Sequence, residues 1–202
     1  VADAGGLAQV SMRNVGKELG VEAMSLYHHV ASKEALLDEL ANWVFTQIEP
    51  PAPGARWRPA LHARQSSARD VLSAHPWALG LVESRRNPGL ALLEHHEAVL
   101  ACLRTSGFSV SLAAHAYSVL DAYVYGFVLT ELNLPFADDE PAEEFIDEIA
   151  HMLPPSRFPH MNEIISEQVR GQDYRLGDEF AYGLDLILDG LDRRLKAERR
   201  RA

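Results

Sequence analysis

VSMRNVGKELGVEAMSLYHHVASKEALLDEL, residues 10 to 40, folds as two short helices across a tight turn that run directly into a third. From Met12 the apolar residues Val15, Leu19, Val21, Leu26 and Val30 recur where the core of a small three-helix unit needs them, and Ser11 is placed to cap the first helix. Gly20 ends that helix, because glycine enters the left-handed conformation freely and lets the chain turn within a few residues. Ala23 to His29 follows as a second short helix. Ser32 then caps a third, Lys33 to Ile48, with Glu34 in its first turn where the helix dipole favours a carboxylate. This is a helix-turn-helix, and its second helix would be the reading element.

The run LGVEAMSLYHHVASKEALLDEL, with L-G-V, L-Y-x-H-V and S-K-E-A-L-L, resembles the DNA-binding domain of the tetracycline-repressor (TetR) family. A weaker similarity continues in W-R-P-A-L, S-A-H-P, L-x-x-S-G-F-S and Y-V-Y-G-F-V-L. The resemblance implies an all-α, dimeric bacterial repressor that releases palindromic operator DNA when a small molecule enters the larger C-terminal domain. It places Tyr27, His29 and Lys33 where relatives touch phosphates and bases, and matches Arg13 to an arginine of the preceding helix. Their chemistry suits DNA recognition, since tyrosine and lysine reach phosphate oxygens, arginine donates in pairs, and Ala23, Met24 and Ser25 offer methyl, thioether and hydroxyl groups to base edges. Ser11, at the head of the first helix, completes the DNA-facing set. The structural alternative is that Tyr27 and His29 only cover the small core.

The chain has 202 residues and 47% hydrophobic residues, enough for a small domain joined to a larger one. A net charge of -10 excludes a nonspecific nucleic-acid coat. The first 49 residues are acidic too: Arg13, Lys17 and Lys33 stand against Asp3, Glu18, Glu22, Glu34, Asp38, Glu39 and Glu49. Docking there must rest on a few placed groups rather than on average charge. Residues 1 to 6 also resemble only the tail of the family's first helix. One cysteine, Cys102, excludes an intramolecular disulfide framework and reads as a buried small hydrophobe. The most apolar stretch, Leu112 to Leu134, carries His115, Asp121 and Glu131, so no membrane span and a cytoplasmic location are expected.

Pro50-Pro51-Ala52-Pro53-Gly54 cannot continue a helix and marks the boundary between residues 1–49, the DNA-binding domain, and 50–202, the effector-binding and dimerisation domain. Helices are expected over Trp57 to Ala74, Trp77 to Ser84, Leu90 to Ser106, Val110 to Leu134, Glu143 to Leu153 and from Asp178 to the C-terminal arginines, with an irregular stretch after Leu153. A homodimer is expected through Asp178 to Leu195 together with the C-terminal half of Val110 to Leu134, where the stripe Phe180, Leu184, Ile187, Leu188 and Leu191, flanked by Gly183 and Gly190, would join a four-helix bundle with its symmetry mate.

His115, Ser118 and Asp121 follow one another every third position on an apolar helix. They either pair among themselves or across a dimer interface, or they face a ligand. His95-His96 invites a metal reading, but adjacent helix residues diverge by roughly 100° and no histidine lies at i+4, so no metal site is expected. No phosphate loop, nucleophile elbow or C-x-x-C is present, which leaves no catalytic residue and no cofactor to name. The metal- and drug-contacting residues of the founding tetracycline repressor do not carry over, since Val82 or Glu83, Arg64 and Ala68 stand in their places. Helical faces and family pattern together nominate Trp77, His96, Val99, Tyr117, Ser118 and Asp121 for the effector, with Arg64 as the obvious cation nearby. That mixture favours an aromatic or polycyclic effector, with Lys33 to Ile48 as the lever to the head. The competing class is an all-helical enzyme or small-molecule carrier with a non-functional helix-turn-helix-like head.

Overall fold

The computed structural model describes residues 1–84, 89–134, 142–170 and 174–201. The described residues are all-α: α1 (Ala2–Gln9), α2 (Met12–Leu19), α3 (Ala23–Leu26), α4 (Lys33–Gln47), α5 (Trp57–Ala74), α6 (Trp77–Ser84), α7 (Leu90–Thr105), α8 (Val110–Leu132), α9 (Ala142–Ile149), α10 (Pro159–Ile164) and α11 (Leu176–Arg199). The stretch expected to be irregular holds α10 and a π-helical turn, Ile165–Val169. The side chains of Val82 and Glu83 lie outside the described residues.

Ser11 Oγ accepts from the Asn14 amide at 3.1 Å and Ser32 Oγ from the Ala35 amide at 3.1 Å, so both expected caps form. Gly20 sits at φ 69° and the Val21 amide reaches back to the Gly16 carbonyl at 2.9 Å, a left-handed helix ending. Gly16 sets the closeness of α2 to α3: a Cβ there would lie 2.9 Å from the Val21 carbonyl oxygen and 3.3 Å from Ala23 Cα. The second helix is shorter than Ala23 to His29. After Leu26 the Tyr27 amide bonds Met24 and the His28 amide bonds Ser25, so the chain tightens into three-residue turns that end before the Ser32 cap.

The head's core also differs from the expected one. Ala2, Val10, Leu37, Ala41 and Leu81 form it, whereas Leu19 and Val21 are 63% and 45% exposed. Apolar spacing marks a stripe but not its partner: Leu37 and Ala41 of α4 and Leu81 of α6 pack with Ala2 and Val10 instead. Leu81 belongs to α6, so packing between head and body crosses the proline boundary.

The body is built around α8, against which α5, α7 and α11 pack. Leu112, Ala116, Leu120, Val124 and Val128 bury one row of it against Leu61, Leu72, Val99 and Leu103. By length and composition α8 could cross a bilayer, but here it is the central packing helix. The expected dimer stripe is corrected: Phe180, Leu184, Leu188 and Leu191 are buried within the single chain, and Gly183 admits Tyr123, whose hydroxyl a Cβ there would overlap. The large apolar residues exposed on α11 are Tyr182 and Leu186, and α8 exposes Val119 and Leu129 among others.

Candidate functional site

Two groups of residues stand out, one exposed on the head and one buried in the body. On the head, Arg13, Met24, Tyr27, His29 and Lys33 are all exposed. Tyr27 and His29 therefore do not serve as cover for the core. Ala23 and Ser25 are half-buried, and the Ser25 hydroxyl donates to the Glu22 carbonyl at 2.7 Å, which fixes the start of α3. Ser11 is committed to its cap. The turn at Gly20 and the close approach at Gly16 set α3 against α2, and α4 begins at Lys33.

In the body, Arg64, Gln65, His95 and Asp121 are buried polar residues inside the apolar core. Arg64 Nη1 donates to Asp121 Oδ1 at 2.6 Å and to Gln65 Oε1 at 2.5 Å, tying α5 to α8. Tyr117 Oη and His96 Nε2 meet at 2.5 Å, with their rings edge to face at 4.8 Å, tying α8 to α7. Burial, and then the charge of Asp121, pushes the Tyr117 pKa up. Burial also lowers the pKa of His96, with Asp121 opposing that and Arg64 adding to it. The Tyr117 hydroxyl also hydrogen-bonds Asp121, and which partner donates in its contact with His96 depends on the imidazole tautomer. The pKa of His95 is lowered by burial and then by Arg64, against a hydrogen bond with the Phe45 backbone that raises it; its Nδ1 has no close hydrogen-bond partner among the described residues, and neither has Arg64 Nε. An unpaired buried polar group costs about 1 to 3 kcal/mol, more when charged, so these two nitrogens are the costliest polar atoms of the cluster.

Of the nominated effector residues, the structure brings together Arg64, His96, Tyr117 and Asp121, with Val99 buried on the same helix as His96. Ser118 is exposed and apart from them. Positions three apart precess by roughly 60° around a helix, so His115, Ser118 and Asp121 are no single track, whereas Tyr117, Asp121 and Tyr125, four apart, form a row. Trp77 also lies elsewhere. Its indole Nε1 donates to Asp3 Oδ1 at 2.5 Å, and His75 Nδ1 meets the same oxygen at 2.7 Å, so it fastens α6 to the head. Sequence reasoning missed Gln65, and of the pair His95-His96, one of which was expected to line a cavity, it nominated the half-buried His96 rather than the buried His95. The signal existed: Leu61, Arg64, Gln65, Ala68 and Leu72 share one buried face, as do Ala91, His95 and Val99.

Two contacts connect the cluster to α4. Phe45 lies 6.0 Å from the His95 ring, and Asn42 Oδ1 accepts the Ala91 amide at 2.8 Å at the start of α7. Gly89 leaves room for this, since a Cβ there would overlap Asn42 Oδ1.

Comparison with known proteins agrees with both halves. The family of bacterial regulatory proteins, tetR family, matches residues 1–40, and the tetracyclin repressor-like C-terminal domain matches residues 50–195. The HTH-type transcriptional repressor DrrR1 of Streptomyces coeruleorubidus is 34% identical over 201 residues, 95% of this chain and 73% of that protein. Tetracycline repressor protein class C of Escherichia coli is 28% identical over 191 residues, 93% of this chain and 84% of that protein. Among solved structures, the Streptomyces coelicolor TetR family protein ActR in complex with actinorhodin superposes with a TM-score of 0.75 at 28% identity, covering 94% of this chain and 89% of that one. The reading as an enzyme or carrier falls with these matches. The chain belongs to the TetR family of helix-turn-helix transcriptional repressors that respond to small-molecule ligands.

Proposed function

We propose that the chain is a homodimeric repressor that grips a palindromic operator through α3 and the start of α4 and lets go when an aromatic or polycyclic molecule occupies the cluster of Arg64, His96, Val99, Tyr117 and Asp121. The observation that carries this is the buried cluster itself, connected to α4 by Phe45 and Asn42. Ligand sites in helical domains lie between helices and combine apolar walls with a few polar groups, as this cluster does. A ligand that shifts α7 relative to α5 and α8 moves α4 with it, and the heads then sit at the wrong spacing for half-sites roughly 34 Å apart. The protein acts in the cytoplasm, where its DNA is.

The test starts from a palindromic duplex selected from a random pool. Aromatic and polycyclic compounds, actinorhodin among them because ActR was solved with it, are screened by thermal shift, and hits are tested for release of that duplex. Tyr117→Ala and His96→Ala should each blunt both responses. Hits that release DNA equally well from both variants would place the effector elsewhere.

We place the two-fold interface on the outer sides of α8 and α11, which pack together and expose Val119, Leu129, Tyr182 and Leu186, with the small Ala122 and Gly126 also exposed on α8. Val119→Glu with Leu186→Glu should give folded monomers in sedimentation, because neither side chain belongs to the single-chain core. An unchanged dimer would exclude this face.

A further inference from the structure

Arg64 is 2% exposed and His95 is 6% exposed, yet Arg64 Nε and His95 Nδ1 have no hydrogen-bond partner among the described residues. The two nitrogens sit on neighbouring helices of one cluster, α5 and α7. Asp121 neutralises Arg64 through Nη1, which leaves the Nε edge of the guanidinium open. That edge is a planar donor fork suited to a pair of oxygens or to one anionic oxygen. His95, neutral in this setting, can turn an Nδ1–H toward the same group in one of its two tautomers. Arg64 also borders a cleft of about 250 Å³ between the linker, at Pro51 and Ala55, and the first turns of α5, at Pro59, Ala60 and Ala63. A ligand arm could reach the guanidinium from there.

We infer that this open edge recognises an anionic oxygen, so that the effector is an aromatic acid whose charged group bonds Arg64 Nε–H and His95 while its rings lie toward Val99 and Tyr117. The inference rests on the effector site proposed above and adds to it the sign of the ligand's charge. It also supplies a route to the head. Drawing His95 toward the ligand disturbs its packing on Phe45 of α4, a contact an uncharged ring would leave in place.

The experiment is calorimetric titration of the full chain with three matched probes: anthraquinone-2-carboxylate, its uncharged carboxamide, and 2-hydroxyanthraquinone. A charge-assisted pair in a buried site should favour the carboxylate over the amide by about tenfold or more. A hydroxy compound that tightens as its phenol ionises, and then overtakes the carboxylate, would assign the same edge to a phenolate. In Arg64→Gln with Asp121→Asn, which removes both charges together and leaves no lone buried ion, the preference for the anion should vanish; a cooperative thermal transition shows that this variant is folded. The wild-type comparison of acid with amide stands without any variant. Equal affinity for the two, both weakened by Tyr117→Ala, overturns the anion and leaves the effector site intact. Failure of all three probes to bind overturns the aromatic acid and the aromatic effector together.

Discussion

The head and the body put their working residues in opposite surroundings. On the head the groups proposed to contact DNA are exposed and carry almost none of the packing, while the core beneath them is thin and leaves Leu19 and Val21 uncovered. In the body, among the groups proposed to meet a ligand, Arg64 and Asp121 are buried and paired across 57 residues of sequence, with His96 and Tyr117 half-buried beside them. Recognition and folding are thus separable in the head and fused in the body. Changing a DNA-facing residue should leave stability alone, whereas changing an effector-facing one should disturb the core.

The largest effect tests that fusion directly. Asp121→Leu strands the Arg64 guanidinium without its counter-charge in the core and should cost about 3 to 5 kcal/mol in urea unfolding. Adding Arg64→Met should restore most of the loss, since an apolar pair of similar volume needs no compensation. A double variant as unstable as the single one would show that the ion pair is not the relevant interaction. Next in size is Gly16→Ala on the head. The added methyl meets backbone atoms of Val21 and Ala23 rather than a mobile side chain, so α3 must move away from α2 at a cost of about 1 to 3 kcal/mol. Operator binding should be lost while near-ultraviolet circular dichroism of the body is kept.

The same contrast explains what is legible in the sequence. Ser11, Gly20 and Ser32 act within three or four residues of themselves, so the head's helices can be read from local chemistry, and its DNA-facing side chains are named by a short motif. The exception is α3, where apolar spacing favours a full helix and the turn before Ser32 ends it early. In the body, helix limits are legible because Pro76, Gly107 and Ser109 punctuate the chain, but pairing is not. Nothing local says that Arg64 meets Asp121, or that His95 rather than His96 is enclosed. The stripe on α11 is apolar as its spacing indicates but has a different partner from the expected one, because periodicity shows that a face is buried without saying by what. Trp77 lies outside the ligand cluster for a related reason: its partner, Asp3, is 74 residues away.

A smaller effect is expected where head meets body. Asp3 accepts from Trp77 and His75, and these bonds hold its carboxyl below the ordinary aspartate pKa. Its folded pKa being the lower one, the stabilisation is present above the ordinary aspartate range and disappears as pH falls through the lowered folded value. Asp3 is largely exposed, so Asp3→Ala should cost less than about 1 kcal/mol at neutral pH. Melting temperatures of wild type and variant should converge in acid. A constant gap across the titration would mean that Asp3 acts through packing alone.

The smallest effect on stability, and the sharpest test of the separation, belongs to Tyr27 and Lys33. Both are exposed and neither belongs to the head's core. Tyr27→Ala and Lys33→Ala should therefore stay within about 0.5 kcal/mol of wild type. Both should nevertheless weaken binding to the selected duplex, and Lys33→Ala should also flatten the dependence of log affinity on log salt by about 0.9 for each phosphate no longer neutralised. Fluorescence anisotropy at several salt concentrations measures this beside a thermal melt of the same samples. Because residues 1–49 carry only Arg13, Lys17 and Lys33 against seven carboxylates, each placed cation of the head should register in the slope. A Lys33→Ala slope equal to that of wild type would take this residue off the phosphates. A lowered melt for Tyr27→Ala would return its ring to the core and erase the separation on this half of the molecule.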